Sequence, residues 1–279
     1  MKFKTIAIDS GGELARLAFS WELKKEAGDF ESIRAMNDFP GMTERINMIM
    51  RRLKDFRAAG MEVVVIFHDA IDKIYVRGSA MAKKGQNSEP TAIIPRISMP
   101  GSAAPDETMK VADNIFHVRS LNGRVVWACI KEPVGPGAPE SWVVKDRFNA
   151  EGVTRSDTGK PVFGPYLPPS YKEISELMIK WAPTYWHPPY IWMPYGTVGM
   201  KKTLSLGTFP RPIRIFDLDG GTAVLSQEIS KDPEGFAISS YNSEDFNEWP
   251  KFVCDLELVL SEEDPIKTLT RIKAKLGVK

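Results

Sequence analysis

The chain has 279 residues, enough for one large domain or two small ones, and its 43% hydrophobic and 26% charged residues are ordinary for a soluble globular protein. Lys and Arg (37) balance Asp and Glu (36), so no global field draws the chain to nucleic acid or membrane, and any polyanion contact must come from a local patch. Cys129, Cys254 and three scattered histidines exclude a disulfide framework and a thiolate zinc site.

The first seventy residues alternate between predicted strands and helices. Residues 4–10 (KTIAIDS) and 61–69 (MEVVVIFHD) are unalternating apolar runs, typical of strands buried on both faces. Between them, 13–27 and 43–59 have apolar residues at helical spacing, and Gly60 ends the second helix. The polar face of that helix is basic: Arg51, Arg52, Lys54 and Arg57. This order predicts an α/β protein with parallel strands.

The middle of the chain is less regular. Residues 70–110 are rich in Gly, Ser and Pro and predict a long, basic, irregular excursion. Its basic residues are Lys73, Arg77, Lys83, Lys84 and Arg96. Residues 111–133 predict a β-hairpin that turns at Asn122-Gly123, and 141–152 predict one further strand.

The α/β pattern resumes in the last third of the chain. Residues 171–181 predict an amphipathic helix, and the proline-rich segment 182–189 (APTYWHPP) is the best linker candidate. Residues 190–206 indicate a strand, a glycine-rich turn and the start of a helix, and 211–221 a buried strand that ends in acidic residues. Residues 265–279 form a basic helical tail.

The glycine-rich turn resembles a P-loop, G-x-x-x-x-G-K-[ST]. In that motif backbone N–H groups surround a phosphate, the Lys reaches the β- and γ-oxygens and the Ser or Thr binds Mg²⁺. Lys201 stands where the motif has its last Gly, and a Cβ there limits the approach of backbone to phosphate. The alternative is an ordinary glycine-rich turn between a strand and a helix. The predicted nucleotide-binding residues are Gly196, Thr197, Val198, Gly199, Met200, Lys201, Lys202 and Thr203.

Asp9 has the Walker B form, an apolar run that ends in an Asp, which with Thr203 would hold Mg²⁺. The alternative is a strand-end Asp that caps the next helix. A P-loop normally precedes Walker B, whereas here it lies near the other end of the chain. Joining the chain ends restores the usual order, with the strand 211–219 between the two motifs, so the sequence indicates a circular permutation. In this order 4–10 and 211–219 are expected to be neighbouring parallel strands that flank the 191–195 strand.

Read in the rotated order, the chain resembles the phage RecA-like nucleotide-binding proteins of recombination and single-strand annealing. Four segments carry the resemblance: MPYGTVGMKKTLSLGTFPRPIRIFDLDGGTAVL, KTIAIDSGGEL, VVVIFHD, and SWVVKDRF with LPPSYKEISELM. Together they cover nearly the whole chain. The resemblance implies an α/β RecA-like P-loop NTPase core, with a mostly parallel central sheet and a β-hairpin. It would be a single circularly permuted domain over 1–279, with segments 1–181 and 190–279 joined by the linker 182–189.

The resemblance also implies roles for polar residues at two strand ends. Asp219 matches the carboxylate that orients the attacking water in RecA-like ATPases; alternatively, Asp217 and Asp219 are a solvated strand end. His68 matches the polar residue that senses the γ-phosphate; alternatively, it is a strand-end His bonded to a loop.

Two further features are expected to act on a neighbouring subunit and on DNA. Lys145 and Arg147 resemble the K-x-R pair that RecA- and DnaB-type assemblies insert into the neighbour's site, where it offsets γ-phosphate charge. A salt bridge to Asp146 is the alternative. The excursion 69–100 lies where RecA-like proteins place DNA-contacting loops, so its basic residues named above are candidates for DNA phosphate contacts.

The expected function is therefore that of an ATP- and Mg²⁺-dependent protein that acts on single-stranded DNA and self-associates into a ring or filament, hydrolysing ATP between subunits. The alternative is a degenerate P-loop module without turnover that serves in DNA binding or assembly; a small-molecule kinase is a weaker third possibility. The longest apolar runs are far shorter than a bilayer span and no secretory leader is evident, which predicts a cytoplasmic protein, in the host cytoplasm if phage-encoded, without a membrane partner.

Overall fold

The protein is built around a central β-sheet with helices on both faces. The computed structural model describes residues 3–23, 39–74, 92–99, 103–133, 141–148, 150–261 and 263–277. The strands are β1 (Thr5–Asp9), β2 (Glu62–Ile66), β3 (Asp69–Ile74), β4 (Ala92–Ile97), β5 (Asn114–Leu121), β6 (Arg124–Ala128), β7 (Tyr166–Leu167), β8 (Ile191–Tyr195), β9 (Ile213–Asp217) and β10 (Phe236–Ser240). The helices are α1 (Gly11–Leu23), α2 (Phe39–Ala58), α3 (Ala103–Val111), α4 (Tyr171–Trp181), α5 (Ser226–Lys231), α6 (Glu248–Leu258) and α7 (Pro265–Lys275).

The central sheet has eight strands in the order β10-β9-β1-β2-β8-β5-β6-β7, parallel from β10 to β5 and antiparallel at β6 and β7. Two hydrophobic cores cover its faces. Ile6 and Val63 point into one core with α1, α2 and α6, and Ala7 and Val64 point into the other with α4. Because both faces are buried, these strands have no polar alternation. The α/β architecture with a mostly parallel sheet is confirmed.

The predicted neighbours of the strand before the glycine-rich turn were wrong in part. β1 and β9 are adjacent and parallel, with Thr5 opposite Ile213. β8, however, lies between β2 and β5 rather than between β1 and β9. β2 is buried along its whole length, so it suits an interior position between β1 and β8.

Three further predictions met different outcomes. The hairpin is confirmed: Asn122 and Gly123 have φ of +50° and +77°, as a two-residue turn between β5 and β6 requires. The predicted strand over 141–152 is wrong, because only isolated bridges form there, one of them between Ile115 and Lys145. The helix expected after the glycine-rich turn is a six-residue 3₁₀ segment, Thr203–Thr208.

The basic excursion contains more regular structure than the sequence predicted. β3 and β4 pair as an antiparallel ribbon outside the main sheet, and α3 follows. Of the predicted DNA-contacting residues, Arg96 lies on β4 opposite Ala70, and Lys73 lies on β3. The side chain of Lys73 lies outside the described residues, as do Arg77, Lys83 and Lys84.

The predicted linker 182–189 is packed against the protein rather than exposed as a tether. It follows α4, whose first turn is capped by Ser170, and leads into β8. Ala182 and Trp186 are buried, and the Trp186 ring lies 6.3 Å from that of Trp192. Among the described residues, none of the helices is long and apolar enough to cross a membrane.

Candidate functional site

Side chains from four parallel strands meet at the carboxyl edge of the sheet. β1 ends at Asp9, β2 is followed by His68, β8 is followed by Gly196 and β9 ends at Asp217. Open α/β sheets bind ligands at this edge, where the loops after neighbouring strands converge. The candidate site is therefore assembled from segments that lie far apart in the sequence.

The turn Gly196–Thr203 has two residues in the left-handed backbone region. The Met200 N–H donates to the Thr197 carbonyl over 3.3 Å, and Gly199 has a φ of +85°. Lys201, with an exposed side chain, has a φ of +53° at the position where the P-loop motif has glycine. The turn thus adopts at Lys201 a conformation that favours glycine, although the residue is not glycine.

Lys202 is held inside this turn. Its side chain is buried, and Nζ donates to the carbonyl oxygens of Gly196 (2.7 Å) and Thr197 (2.9 Å). Burial lowers the pKa of the ammonium. Carbonyl oxygens are neutral acceptors, so an anionic oxygen that reached Nζ would form the stronger, charge-assisted bond.

Thr203 contacts Asp9, which lies 194 residues earlier in the sequence. The Thr203 hydroxyl donates to Asp9 Oδ2 over 2.5 Å. Burial, followed by the charge of Asp219, raises the pKa of Asp9 to about 7. The alternative role of Asp9 as a helix cap is not borne out, because the N–H of Glu13 is bonded by the Ser10 hydroxyl.

The described side chains of the site supply only some of the ligands that a metal ion needs. Within the described residues no group of three or more His, Cys, Asp and Glu side chains could hold a metal ion. Mg²⁺ commonly takes one or two protein oxygens together with phosphate oxygens and water, so the Asp9 and Thr203 pair fits an Mg²⁺ that arrives with a nucleotide.

Asp219 also borders this site, because its charge contributes to the raised pKa of Asp9. His68 Nε2 is 3.7 Å from Asp219 Oδ2, and this imidazole lowers the pKa of Asp219. Asp217 instead accepts bonds from the Gly220 N–H and the Thr222 hydroxyl, so it shapes the loop. Asp219 therefore belongs to the candidate site, whereas Asp217 stabilises the loop that follows β9.

Gly221, which the sequence analysis missed, borders the site, whereas Gly196 lets the turn approach the backbone of β5 closely. A Cβ on Gly221 would lie 3.1 Å from Asp9 Oδ2, 3.3 Å from Thr203 Oγ1 and 2.7 Å from Asp219 Oδ1. A Cβ on Gly196 would lie 2.3 Å from the Val118 carbonyl oxygen. The Gly-Gly pair after an acidic strand end was the available signal for Gly221.

Asp69, also missed, joins the glycine-rich turn to the β3–β4 ribbon. The Thr197 hydroxyl donates to Asp69 Oδ2 over 3.0 Å, and the Asp69 N–H donates to the Gly196 carbonyl over 3.3 Å. Asp69 is the first residue of β3. The base of the ribbon is thus attached directly to the turn.

Lys145 and Arg147 lie away from this site within the same chain. Lys145 bridges to Ile115, which is level with Met193 in β8, well before the turn. Its Nζ donates to the Ala112 carbonyl, and Arg147 Nε lies 3.7 Å from Asp113 Oδ1.

Comparisons of the chain with protein-family models, with curated proteins and with solved structures give no match. A functional assignment therefore depends on the site itself, where Lys202, Thr203, Asp9, Asp219 and His68 come together from four parts of the sequence. Three of these side chains, Asp9, Asp219 and Lys202, have shifted pKa values, and such a cluster is typical of a functional site.

Proposed function

We propose that the protein is a circularly permuted, RecA-like P-loop protein that binds Mg-ATP at Gly196–Thr203 and hydrolyses it. The observation that carries this proposal is the 2.5 Å hydrogen bond between Thr203 and Asp9. The motif residues proposed to share one Mg²⁺ lie 194 residues apart in the sequence, and a chance resemblance in either segment gives no reason for them to meet.

The strand arrangement supports the permuted order. The strands that end at Asp9 and Asp217 are parallel neighbours, and the glycine-rich turn follows a strand of the same direction in the same sheet. All of these motifs consequently lie at one edge, as a nucleotide site in an α/β sheet requires.

Each residue at the phosphate end of the proposed site has a physical role. Lys202 exchanges its two carbonyl acceptors for phosphate oxygens, which strengthens both bonds. Thr203 and Asp9 would hold Mg²⁺, and the ion would supply positive charge against the charge that develops on the phosphates. Gly221 leaves the space that this arrangement needs, because any side chain there would contact Asp9 and Thr203.

Asp219 and His68 are proposed to act on the γ-phosphate side. Asp219 stays ionised beside the imidazole and can accept a hydrogen bond from an attacking water, which it thereby orients. His68 immediately precedes Asp69, the first residue of β3. A contact between His68 and the γ-phosphate could therefore shift the ribbon.

The partners in this proposal are single-stranded DNA and further copies of the chain. The ribbon carries Lys73 and Arg96 and begins at the nucleotide turn, which supports a DNA-contacting role. Lys145 and Arg147 lie beside the start of β5, away from the carboxyl edge that holds the turn, so a catalytic role for them requires a ring or filament.

Two observations favour the alternative of a P-loop module that binds nucleotide without turnover. The turn is followed by a 3₁₀ segment of six residues rather than by a helix, and Lys201 replaces a glycine. Both departures affect the presentation of backbone N–H groups to the phosphates.

Nucleotide binding and turnover distinguish the two functions. Mg-ATP binding and ATP hydrolysis would be measured with and without single-stranded DNA for the wild type, Lys202→Ala and Asp9→Asn, with Lys172→Ala as an exposed-lysine control. We expect Lys202→Ala to abolish binding and Asp9→Asn to lower turnover by about 100-fold with a smaller effect on binding. Wild-type hydrolysis by Lys202→Ala would refute the site, whereas binding without hydrolysis in the wild type would favour the alternative.

A further inference from the structure

A surface of α2 and α7, away from the nucleotide turn, carries positive charge that the proposed function does not use. Arg51, Lys54 and Arg57 follow one another at every third position of α2, which places them along one side of the helix. Lys275 belongs to the last turn of α7, which packs beside α6. These four residues, Arg51, Lys54, Arg57 and Lys275, are the basic stripe.

The acids near the basic stripe are already paired with other cations or buried. Asp55 is bound by Arg52 at 3.3 Å, and Glu257 by Arg271 at 2.8 Å. Asp113 is buried and is bound by Arg57 at 2.6 Å.

Three cations of the stripe form no ion pair with the described residues. Arg51, Lys54 and Lys275 are exposed and have no carboxylate within 4.0 Å among the residues that the structure describes. Uncompensated cations on one surface attract a polyanion.

A groove of about 390 Å³ connects the two helices of the stripe. Arg51 and Lys275 line it beside apolar residues such as Val253, and its two carboxylates, Asp55 and Glu257, are the paired ones named above. None of the described residues that line the groove is aromatic. Bases therefore have no ring to stack on, and the surface can recognise the sugar–phosphate backbone only.

The positive surface extends from α2 toward the segment that holds Lys145 and Arg147. Burial lowers the pKa of Lys145, and the charges of Arg147 and Lys54 lower it further, so Lys54 lies near that pair. From Arg51 to Arg57 the helix rises about 9 Å, a length that matches several phosphates of one strand.

We propose that the basic stripe is a nucleic-acid backbone site, independent of the β3–β4 ribbon and of nucleotide. It contacts phosphates without reading bases, so it binds single-stranded and duplex DNA and has no sequence preference. Charge complementarity favours this partner, because Arg51 and Lys275 line one groove, Lys54 lies one turn further along α2, and none of the three has an ion pair among the described residues.

The test compares two matched triple variants of the full chain in nucleotide-free DNA binding over 50–200 mM salt, followed by fluorescence anisotropy. Arg51→Gln, Lys54→Gln and Lys275→Gln remove the uncompensated cations. Lys160→Gln, Lys172→Gln and Lys180→Gln remove three exposed cations elsewhere, so both variants have the same net charge. The probes are a dT oligonucleotide, a mixed-sequence oligonucleotide, a duplex and a polyglutamate peptide.

We expect the stripe variant to bind both DNA forms at least 10-fold more weakly at 50 mM salt. Its slope of log K against log salt should fall by about 2 on single strands and nearly 3 on duplex, for three lost contacts. The control variant should behave like the wild type. Equal effects in both variants, no effect in the stripe variant, or no DNA binding by the wild type would each overturn the proposal.

Loss of polyglutamate binding alone would also overturn it, because the surface would then accept an acidic polypeptide. Mg-ATP binding measured on the same samples separates this inference from the proposed function. Failure of ATP binding would remove the nucleotide site and leave the result for the basic stripe intact.

Discussion

Lys201 carries the main departure from the P-loop motif, and its backbone explains how the turn tolerates it. A φ of +53° costs a residue with a Cβ roughly 1–2 kcal/mol relative to glycine. The side chain is exposed, so the substitution adds strain without filling the inside of the turn. Lys201 therefore adopts the left-handed backbone conformation that favours glycine, although it carries a side chain.

Substitutions at Lys201 should follow backbone strain rather than charge. We expect Lys201→Gly to keep the free energy of unfolding within about 1 kcal/mol and to bind Mg-ATP at least as well as the wild type. Lys201→Val should lose roughly 1–2 kcal/mol, because a β-branched residue tolerates positive φ poorly. Urea unfolding and nucleotide titration check both. Equal stability of the Gly and Val variants would show that this position is not strained.

Asp9 should make the stability of the metal-free protein fall as pH rises. Its pKa is raised from 3.8 to about 7 by burial and by Asp219, so the unfolded chain ionises first and stability is lost as pH rises between about 4 and 7. Asp9→Asn keeps an acceptor for Thr203 but cannot ionise.

We therefore expect Asp9→Asn to be more stable than the wild type by roughly 2–4 kcal/mol at pH 8, with the difference shrinking toward pH 4. Urea unfolding without Mg²⁺ at the two pH values measures it. A constant difference between the variants across this range would contradict the shifted pKa.

At the scale of elements, Asp69 attaches the β3–β4 ribbon to the glycine-rich turn. Thr197 donates to Asp69 at 3.0 Å, and β4 returns to His68 through the Ser98 N–H, 2.7 Å from the His68 carbonyl. A rearrangement of the turn around a phosphate would therefore act first on the base of the ribbon.

Thr197→Val should uncouple the ribbon from the turn while Thr197→Ser, which keeps the hydroxyl, should not. If the proposed function holds, Mg-ATP changes the affinity of the wild type for single-stranded DNA, and we expect Thr197→Val to reduce that change by about 5-fold or more, in line with a lost hydrogen bond to a charged group. DNA titrations with and without Mg-ATP measure it. An unchanged ATP effect in Thr197→Val would exclude this contact as the link.

For the whole molecule, the position of Arg147 predicts that catalysis depends on assembly. Arg147 is more than half exposed and lies on the side of the sheet beyond β8, so its removal should leave the fold and ATP binding intact. We expect Arg147→Ala to lose turnover, and an equimolar mixture with Lys202→Ala to regain part of it, because a mixed interface pairs an intact Arg147 with an intact turn.

The specific activity of the wild type should also rise with protein concentration. Steady-state hydrolysis and sedimentation of the same samples test both expectations. If the wild type assembles and hydrolyses ATP but the mixture stays inactive, then Arg147 serves only to pair with Asp113 in its own chain.

Local patterns in the sequence were enough to predict most elements and to single out residues that the structure brings together at one edge of the sheet. Unalternating apolar runs indicated β1, β2 and β9, and Asn122-Gly123 indicated the β5–β6 turn, because burial and backbone preference act over a few residues. Lys202 and Thr203 were recognisable because the motif is short and continuous.

Tertiary structure alone decided which strands are neighbours and which side chains complete the site. β1, β2, β8 and β9 are similarly apolar, so nothing in their sequences states that β2 separates β1 from β8. Gly221 and Asp69 became site residues only through contacts with segments far along the chain. A strand's periodicity records that it is buried, whereas its partners are selected by the packing of the whole sheet.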